Sequence, residues 1–442
     1  MSAPLLPRPD QALHDRVLTE LGMDHASVPI PAPAHRVPLP SRLATADLAW
    51  ASVASVASVA GISAELDPDR IALSYRSDRL LTVDDTAPSV WSPYSGFWRS
   101  RDGWVRTHGN YRHHAEALLR GLGITDLDAI SSAFAERTST EAATAISSEG
   151  GLAVVVSTER PAEDAALRRT PLLDVRGVEG PGRAPLAPEI PLPLSPVRAL
   201  PLSGIRVLDL TRVIAGPVCT RTLALLGADV LRIDPPHLPE AEWQHFDTGH
   251  GKRSALLDAR SSEMHALLAQ ADVVVLGYRP AALDRLGFSP EVLAERYPGL
   301  VIAQLSAWGV DHPERAGFDS LVQAESGIAL VESADGDRPG ALPAQALDHS
   351  AGYLLAASVV ALLERRRRDG GTWQVRTSLR RIAAELLGMP RNAEPAPERD
   401  VDPAPHTAHF AIGGRRLATA RPALPGLDFR APHEWGADQP RW

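Results

Sequence analysis

Residues 204–234 constrain the fold more than any other part of this chain, because they read as strand, tight turn, helix and second strand in immediate succession. Residues 206–210 are a short apolar run with β-branched character, and Ala215-Gly216-Pro217 breaks it. Pro217 suits the first turn of a helix, where its missing N–H has no intrahelical partner. Gly227 ends that helix, and residues 229–233 form a second apolar strand closed by Asp234, Pro235 and Pro236. Such a βαβ unit aims backbone N–H groups out of a helix N-terminus, a natural seat for phosphate. The G-x-G-x-x-G spacing of dinucleotide-binding turns is absent. The segment therefore predicts a nucleotide-type α/β start without the dinucleotide signature.

Composition narrows the class. A chain of 442 residues is too long for one typical domain and suits about two or three. Hydrophobic content of 44% and charged content of 22% are ordinary for a soluble globular protein. A net charge of −9 with no basic block argues against nucleic acid as a partner. Cys219 is the single cysteine, which excludes an intrachain disulfide and fits a reducing compartment. Its place in the predicted helix implies a buried, inert thiol. There is no run of about 18 apolar residues, nor a charged start followed by an apolar core, so a cytoplasmic location with no membrane partner is expected. Lys252 is the only lysine. Schiff-base chemistry could use no other residue, and Lys252 reads as part of a polar turn rather than an apolar pocket.

Several motifs point nowhere. Gly251-Lys252 is not a Walker A loop, because the upstream glycine is missing and Arg253 stands where Ser or Thr would hold magnesium. His113-His114 and the pair His406 and His409 lack the further ligands of a zinc site and read as surface residues, so no metal is expected. No G-x-S-x-G elbow is present for a serine hydrolase. Arg365 to Arg368 complement the C-terminal dipole of the helix they end.

The segments after Asp234 make the α/β block specific. They are His250-Gly251-Lys252-Arg253-Ser254, Ala271-Asp272-Val273-Val274-Val275-Leu276-Gly277-Tyr278-Arg279-Pro280, Leu283-Asp284-Arg285-Leu286-Gly287, Gly317-Phe318-Asp319-Ser320 and Leu347-Asp348-His349-Ser350-Ala351-Gly352. In this order and spacing they resemble the class III CoA-transferase family, which includes formyl-CoA and carnitine-CoA transferases and the α-methylacyl-CoA racemases. The resemblance covers residues 201–387. It implies a doubly wound, mainly parallel α/β large domain of Rossmann-like type with a small α+β domain. It also implies an interlocked homodimer, and coenzyme A or acyl-CoA as substrate with no tightly bound cofactor.

The organisation expected on this basis runs as follows. Residues 1–40 are a proline-rich, loosely packed arm. Residues 41–171 are a small α+β domain with a flanking helix, in which valines three apart over residues 52–60 predict a closely packed helix. Asp102-Gly103 between aromatic flanks predicts a hairpin. Residues 172–200 read as a proline-rich linker. Residues 201–388 are the CoA-binding large domain, and 389–442 are a second linker and a segment returning to it. In the family the small domain follows the large one; here its hairpin, Asn110 and Leu122-Gly123 precede it.

Asp348 is the candidate nucleophile. Locally it reads as the N-cap of the apolar helix that follows, accepting hydrogen bonds from that helix's first N–H groups. An N-terminal position also keeps a carboxylate ionised. By resemblance it attacks an acyl-CoA thioester and is captured by the CoA thiolate as an aspartyl thioester. The racemase branch needs a histidine at the position of Phe318, so racemisation is not expected, and His349 would diverge from Asp348. By position, Ile214 and Ala215 match the turn that meets pantetheine and diphosphate. Leu257, Asp258 and Arg260 match the segment near the nucleotide, with Gly277, Tyr278 and Arg279 beside the adenine and Arg285 available for a phosphate. A phosphate-binding arginine expected after Asp234 is replaced by Pro235, and the glycine-rich loop of formyl-CoA transferase has no counterpart. The main expectation is CoA transfer between an acyl-CoA and a carboxylic acid. The alternatives left open are a catalytically degenerate CoA-binding paralogue or partner subunit, and an acyl-CoA lyase or isomerase using Asp348 as a base.

Overall fold

Alternating apolar side chains build the centre of the molecule. The computed structural model describes residues 8–23, 32–178 and 200–442. Among them the strands run in chain order as β1 (Thr82–Val83), β2 (Gly96–Arg99), β3 (Trp104–Thr107), β4 (Ala153–Val155), β5 (Asp174–Val178), β6 (Arg206–Leu210), β7 (Asp229–Asp234), β8 (Lys252–Leu256), β9 (Val273–Leu276), β10 (Val301–Ser306), β11 (Thr372–Ser378), β12 (Thr407–Ile412) and β13 (Arg415–Ala420). One seven-stranded sheet has the order β5-β11-β10-β9-β6-β7-β8. It is parallel throughout except at β5, which runs antiparallel to β11. Val207 lies opposite both Val230 and Val273, and Val273 opposite Val301, so one rung of valines crosses the sheet. These residues bury into one apolar cluster, while Leu208, Leu231, Val274 and Ile302, one position on, bury into the cluster on the other face. Period-2 burial on both faces is what a parallel sheet covered by helices demands, each such side chain contributing roughly 1.5–3 kcal/mol.

The helix Ala346–Asp369 packs against the helices Thr45–Val59 and Ala215–Leu225 on one face of the sheet. By length and composition it could cross a membrane, but 94% of its most apolar stretch is buried inside the protein. Gly352 permits the close approach: a Cβ there would stand 2.6 Å from the Ala215 carbonyl oxygen and 2.7 Å from Val218 Cβ. The valines three apart are buried in Thr45–Val59, and Ser52 and Ser55 each donate to the carbonyl four residues back.

Three strands, β2, β3 and β4, form a second sheet, with the Asp102-Gly103 hairpin joining β2 to β3. Asp102 Oδ1 accepts the Ser139 N–H at 2.7 Å, which anchors the hairpin to a neighbouring helix. The C-terminal segment forms the β12–β13 hairpin, pairs with β1, and then runs back along the large sheet. There Asp438 exchanges hydrogen bonds with Ser254 and Trp442 Nε1 donates to the Leu267 carbonyl.

The structure corrects three expectations. Within the proline-rich start, Pro9–Glu20 is a helix whose Leu13, Val17 and Leu18 are buried, because a four-residue apolar spacing docks it on the Thr45–Val59 helix. Residues 172–178 of the expected linker contain β5, whose backbone completes the edge of the main sheet, while 179–199 lie outside the described residues. Lys252 is not in a polar turn. It opens β8 with 2% exposure and donates from Nζ to Asp209 Oδ2 at 3.0 Å and to the Pro217 carbonyl at 2.9 Å.

Candidate active site

The main sheet reverses its direction of growth between β6 and β9. From β6 the chain builds outward through β7 and β8, then returns to place β9 on the other side of β6 and continues to β10 and β11. Loops at the carboxyl ends of strands flanking such a switch point diverge and leave a crevice. A cavity of about 240 Å³ occupies that place. Arg212 to Ala215 after β6, Gly277 to Arg279 after β9, and Leu305 to Ala307 at the end of β10 line it.

Asp348 opens into this cavity from the opposite side. The helix it belongs to starts at Ala346 with Gln345 as its cap, so Asp348 is the third helical residue and not the N-cap expected from its neighbours. Asp348 is 6% exposed, and Asp319, at the start of the helix Asp319–Ser326, is fully buried beside it. Asp319 Oδ2 accepts the Asp348 backbone N–H at 3.0 Å, and its Oδ1 accepts Gln323 Nε2 at 2.5 Å. Burial, and then the like charge of Asp319, raise the Asp348 carboxyl well above the usual carboxylate range. This reverses the expectation that the helix terminus alone keeps it ionised. Burial also pushes Asp319 up to about 6, against the hydrogen bonds it accepts and the attraction of Arg106.

The small sheet closes the cavity. β3 carries Arg106, and the segment after it supplies His108, whose ring stacks on Phe318 with centroids 3.8 Å apart. Phe318, Tyr111, His113 and His114 all reach the cavity wall. Burial, then His113 and Arg279, hold His114 down to about 4, so its imidazole is neutral at physiological pH. His113 and His114 were read from sequence as a surface pair; His113 is exposed as expected, His114 is half-buried, and both line the cavity that Asp348 also lines. His349 does diverge, stacking on Tyr75 with centroids 5.0 Å apart.

A second cavity of about 300 Å³ adjoins the first and shares Tyr278 and Ala282 with it. Leu257, Asp258, Arg260 and Arg285 line it, together with Pro235 and His237. The residues singled out from sequence thus divide between two neighbouring chambers. Asp348, Ile214, Ala215, Gly277, Tyr278 and Arg279 line the first, and Leu257, Asp258, Arg260, Arg285 and again Tyr278 the second. Arg285 Nη1 sits 2.7 Å from Glu314 Oε1 with both side chains more than half exposed, so an anion entering there displaces a weakly held surface partner.

The turn between the strand and helix that open the first chamber is held rigidly. Asp209 accepts Thr211 Oγ1 at 2.5 Å, Thr220 Oγ1 at 2.6 Å and the Lys252 ammonium. Val213 has φ +72°, a left-handed conformation costly for a β-branched residue, and its N–H donates to Glu240 Oε1 at 2.7 Å. Arg212 was not singled out from sequence. It stands two residues beyond the end of β6, where no local pattern marks it. Cys219 is fully buried in the Ala215–Leu225 helix and burial pushes its thiol up. Among the described residues no group of three or more His, Cys, Asp or Glu side chains could hold a metal ion.

A βαβ switch-point crevice with a buried carboxylate facing the turns defines an α/β enzyme-like site, and comparison with known proteins supplies the family. Residues 202–416, just under half of the chain, match CoA-transferase family III. A probable fatty acyl-CoA transferase of Mycobacterium tuberculosis, Rv3272, is 31% identical over 220 residues, covering 45% of this chain and 56% of that protein. A formyl-CoA:oxalate CoA-transferase of Afipia carboxidovorans is 31% identical over 179 residues, covering 37% of this chain and 42% of its own length. The solved structure of Rv3272 aligns with TM-score 0.40 at 33% identity, over 43% of this chain and 56% of that one. The chain spans about half the length of the curated relatives it matches.

Proposed function

We propose that the protein transfers CoA between an acyl-CoA thioester and a free carboxylic acid through a covalent adduct on Asp348. The observation that carries this reading is that Asp348 opens into the same chamber as Ile214, Ala215, Gly277, Tyr278 and Arg279, with Leu257, Asp258, Arg260 and Arg285 around the adjoining one. CoA extends across both, its thiol end beside Asp348 and its nucleotide near Tyr278 and Arg285. The relatives' activities, fatty acyl-CoA and formyl-CoA:oxalate transfer, agree with that substrate class.

In the reaction, an Asp348 carboxylate oxygen bonds to the thioester carbonyl carbon, and the C–S electron pair leaves with the CoA thiolate. The thiolate then attacks the aspartyl carbonyl of the mixed anhydride, releasing the donor acid and leaving an aspartyl-CoA thioester. The acceptor carboxylate attacks that carbonyl, expels the thiolate and forms a second anhydride. Attack of the thiolate on its acyl carbon yields the new acyl-CoA and frees Asp348. A desolvated carboxylate of raised pKa is strongly nucleophilic once ionised. Phe318 offers no proton acceptor, which agrees with transfer over racemisation.

Hydroxylamine trapping during turnover is the test. An Asp348 hydroxamate is expected by mass spectrometry, and its absence during active transfer points to Asp348 acting as a base. The Asp348→Asn variant should fold, bind CoA and lose transfer, because an amide is a poor nucleophile; near-full activity rules the mechanism out. The same proposal includes an interlocked homodimer in the cytoplasm with no nucleic-acid or membrane partner and no tightly bound cofactor. A monomeric mass by light scattering at micromolar concentration excludes the dimer.

A further inference from the structure

One charged group in the wall of the first chamber has no hydrogen-bond partner of its own. The Arg212 side chain is 8% exposed, yet Nε, Nη1 and Nη2 all lack an acceptor. A guanidinium keeps its charge at any physiological pH and carries five N–H donors, so a buried one is normally satisfied. The nearest anion, Glu240, has an oxygen 4.0 Å from Arg212 Nε, beyond hydrogen-bond reach. Glu240 is also committed elsewhere. Its Oε1 accepts Val213 N–H at 2.7 Å and faces Tyr111 O–H at 3.4 Å, and its Oε2 accepts Arg232. Glu240 therefore balances the charge of Arg212 without using its donors. The guanidinium carbon lies over the Tyr111 ring, 5.1 Å from its centre, a contact that uses none of the N–H donors. The strained Val213 follows directly and lines the same wall, as strain stored at a functional site does.

We propose that Arg212 is the seat of the acceptor acid's carboxylate. The planar fork of a guanidinium matches the two oxygens of a carboxylate, and it would also match a phosphate. Place in the molecule and free donors together favour the carboxylate: Arg212 shares its chamber with Asp348, where the acid must react, and with Arg279, whose Nη1 donates to the Glu314 carbonyl, whereas Arg260 and Arg285 stand in the adjoining one. This assignment rests on the transferase reading. Held there, the acid turns one oxygen to the aspartyl thioester; the new C–O bond forms as the C–S pair leaves with sulfur. Arg212 would thus determine specificity for a free carboxylate and exclude neutral acceptors such as alcohols and amides.

The test uses the full-length protein with acetate, propionate, succinate and phenylacetate as probes, titrated by calorimetry alongside CoA. Wild type should bind at least one acid, and Arg212→Gln should weaken that binding at least tenfold while CoA affinity changes less than twofold. Arg212→Lys should recover part of it. In turnover, Arg212→Gln should raise the acid's KM without impairing hydroxamate formation from acyl-CoA alone. Acid binding unchanged in Arg212→Gln, absent from wild type, or lost together with CoA binding overturns the proposal, the last placing Arg212 on a CoA phosphate. If Arg212→Gln fails to fold by its melting curve, Arg212→Lys carries the test, since loss of the fork alone should still weaken acid binding severalfold. Acid binding through Arg212 in a protein that transfers no CoA leaves the seat standing and removes the transferase reading.

Discussion

Asp319 accepts the backbone N–H of Asp348 at 3.0 Å, so the group that positions the candidate nucleophile also opposes its ionisation. Both carboxyls are buried, and the pair cannot shed both protons as readily as two exposed acids. The same hydrogen bond couples the starts of two helices, giving Asp319 a structural and an electrostatic role at once.

This arrangement sets a pH dependence of activity. Transfer needs Asp348 ionised, and its carboxyl is held above the usual range by burial and by Asp319. The rate should therefore rise with pH on an acid limb displaced upward from that of an ordinary aspartate. Removing the like charge in Asp319→Asn should move the limb to lower pH, visible in the pH profile of kcat/KM. A limb unmoved by that substitution leaves burial as the sole cause.

Stability should respond with the opposite sign. A carboxyl whose folded pKa is raised holds its proton longer in the folded state than in the unfolded one. Asp319 accordingly costs nothing below its unfolded value of 3.8, and the cost develops as pH rises from there through about 6. Over that window wild type should lose stability relative to Asp319→Asn. Denaturant melts of the two proteins across the window measure the difference. Parallel curves count against the shift.

Much of this site was legible before the fold. Arg206–Leu210, the broken turn and Asp229–Asp234 carry strand and helix periods too regular to mistake, and they position the switch-point crevice. Family motifs placed Tyr278 and Arg285, which fall on adjoining cavities. What escaped has physical causes. β5 is a short edge strand whose Gly177 suggested a loop, but the Trp373 ring needs that space: a Cβ would come within 3.1 Å of it. Pro9–Glu20 carries its apolar spacing between proline-rich flanks that masked it. Arg212 and His114 matter only because two separate sheets bring them to one cavity, and no local pattern records that.

Gly352→Ala should be destabilising although alanine favours a helix by about 1 kcal/mol over glycine. The added methyl would press on the Ala215 carbonyl at 2.6 Å, a backbone atom of the neighbouring helix that cannot rotate away. Overpacking of this kind costs about 1–3 kcal/mol, so the clash outweighs the propensity gain. Because Ala215 also lines the chamber, CoA affinity should fall together with the melting temperature. A stabilised variant with unchanged affinity contradicts this close packing.

Lys252→Met offers the last discrimination, between a buried pair that merely packs and one that holds the turn. The Lys252 and Asp209 side chains are 1% and 0% exposed. Burial pulls the Lys252 ammonium down to about 8 against the attraction of Asp209, while Lys252 and Arg232 outweigh burial at Asp209 and keep it below the usual carboxylate range. The two shifts are consistent with an ionised pair at neutral pH, still close enough to Asp209 at 3.0 Å to hold it. Methionine keeps much of the volume but strands the Asp209 charge, a loss of about 3–5 kcal/mol for a buried pair broken on one side. Asp209 also anchors Thr211, the residue before Arg212, so the turn should loosen. Acid binding should therefore weaken in Lys252→Met even under conditions where the variant remains folded. A variant that loses stability but binds propionate and CoA like wild type confines Lys252 to packing.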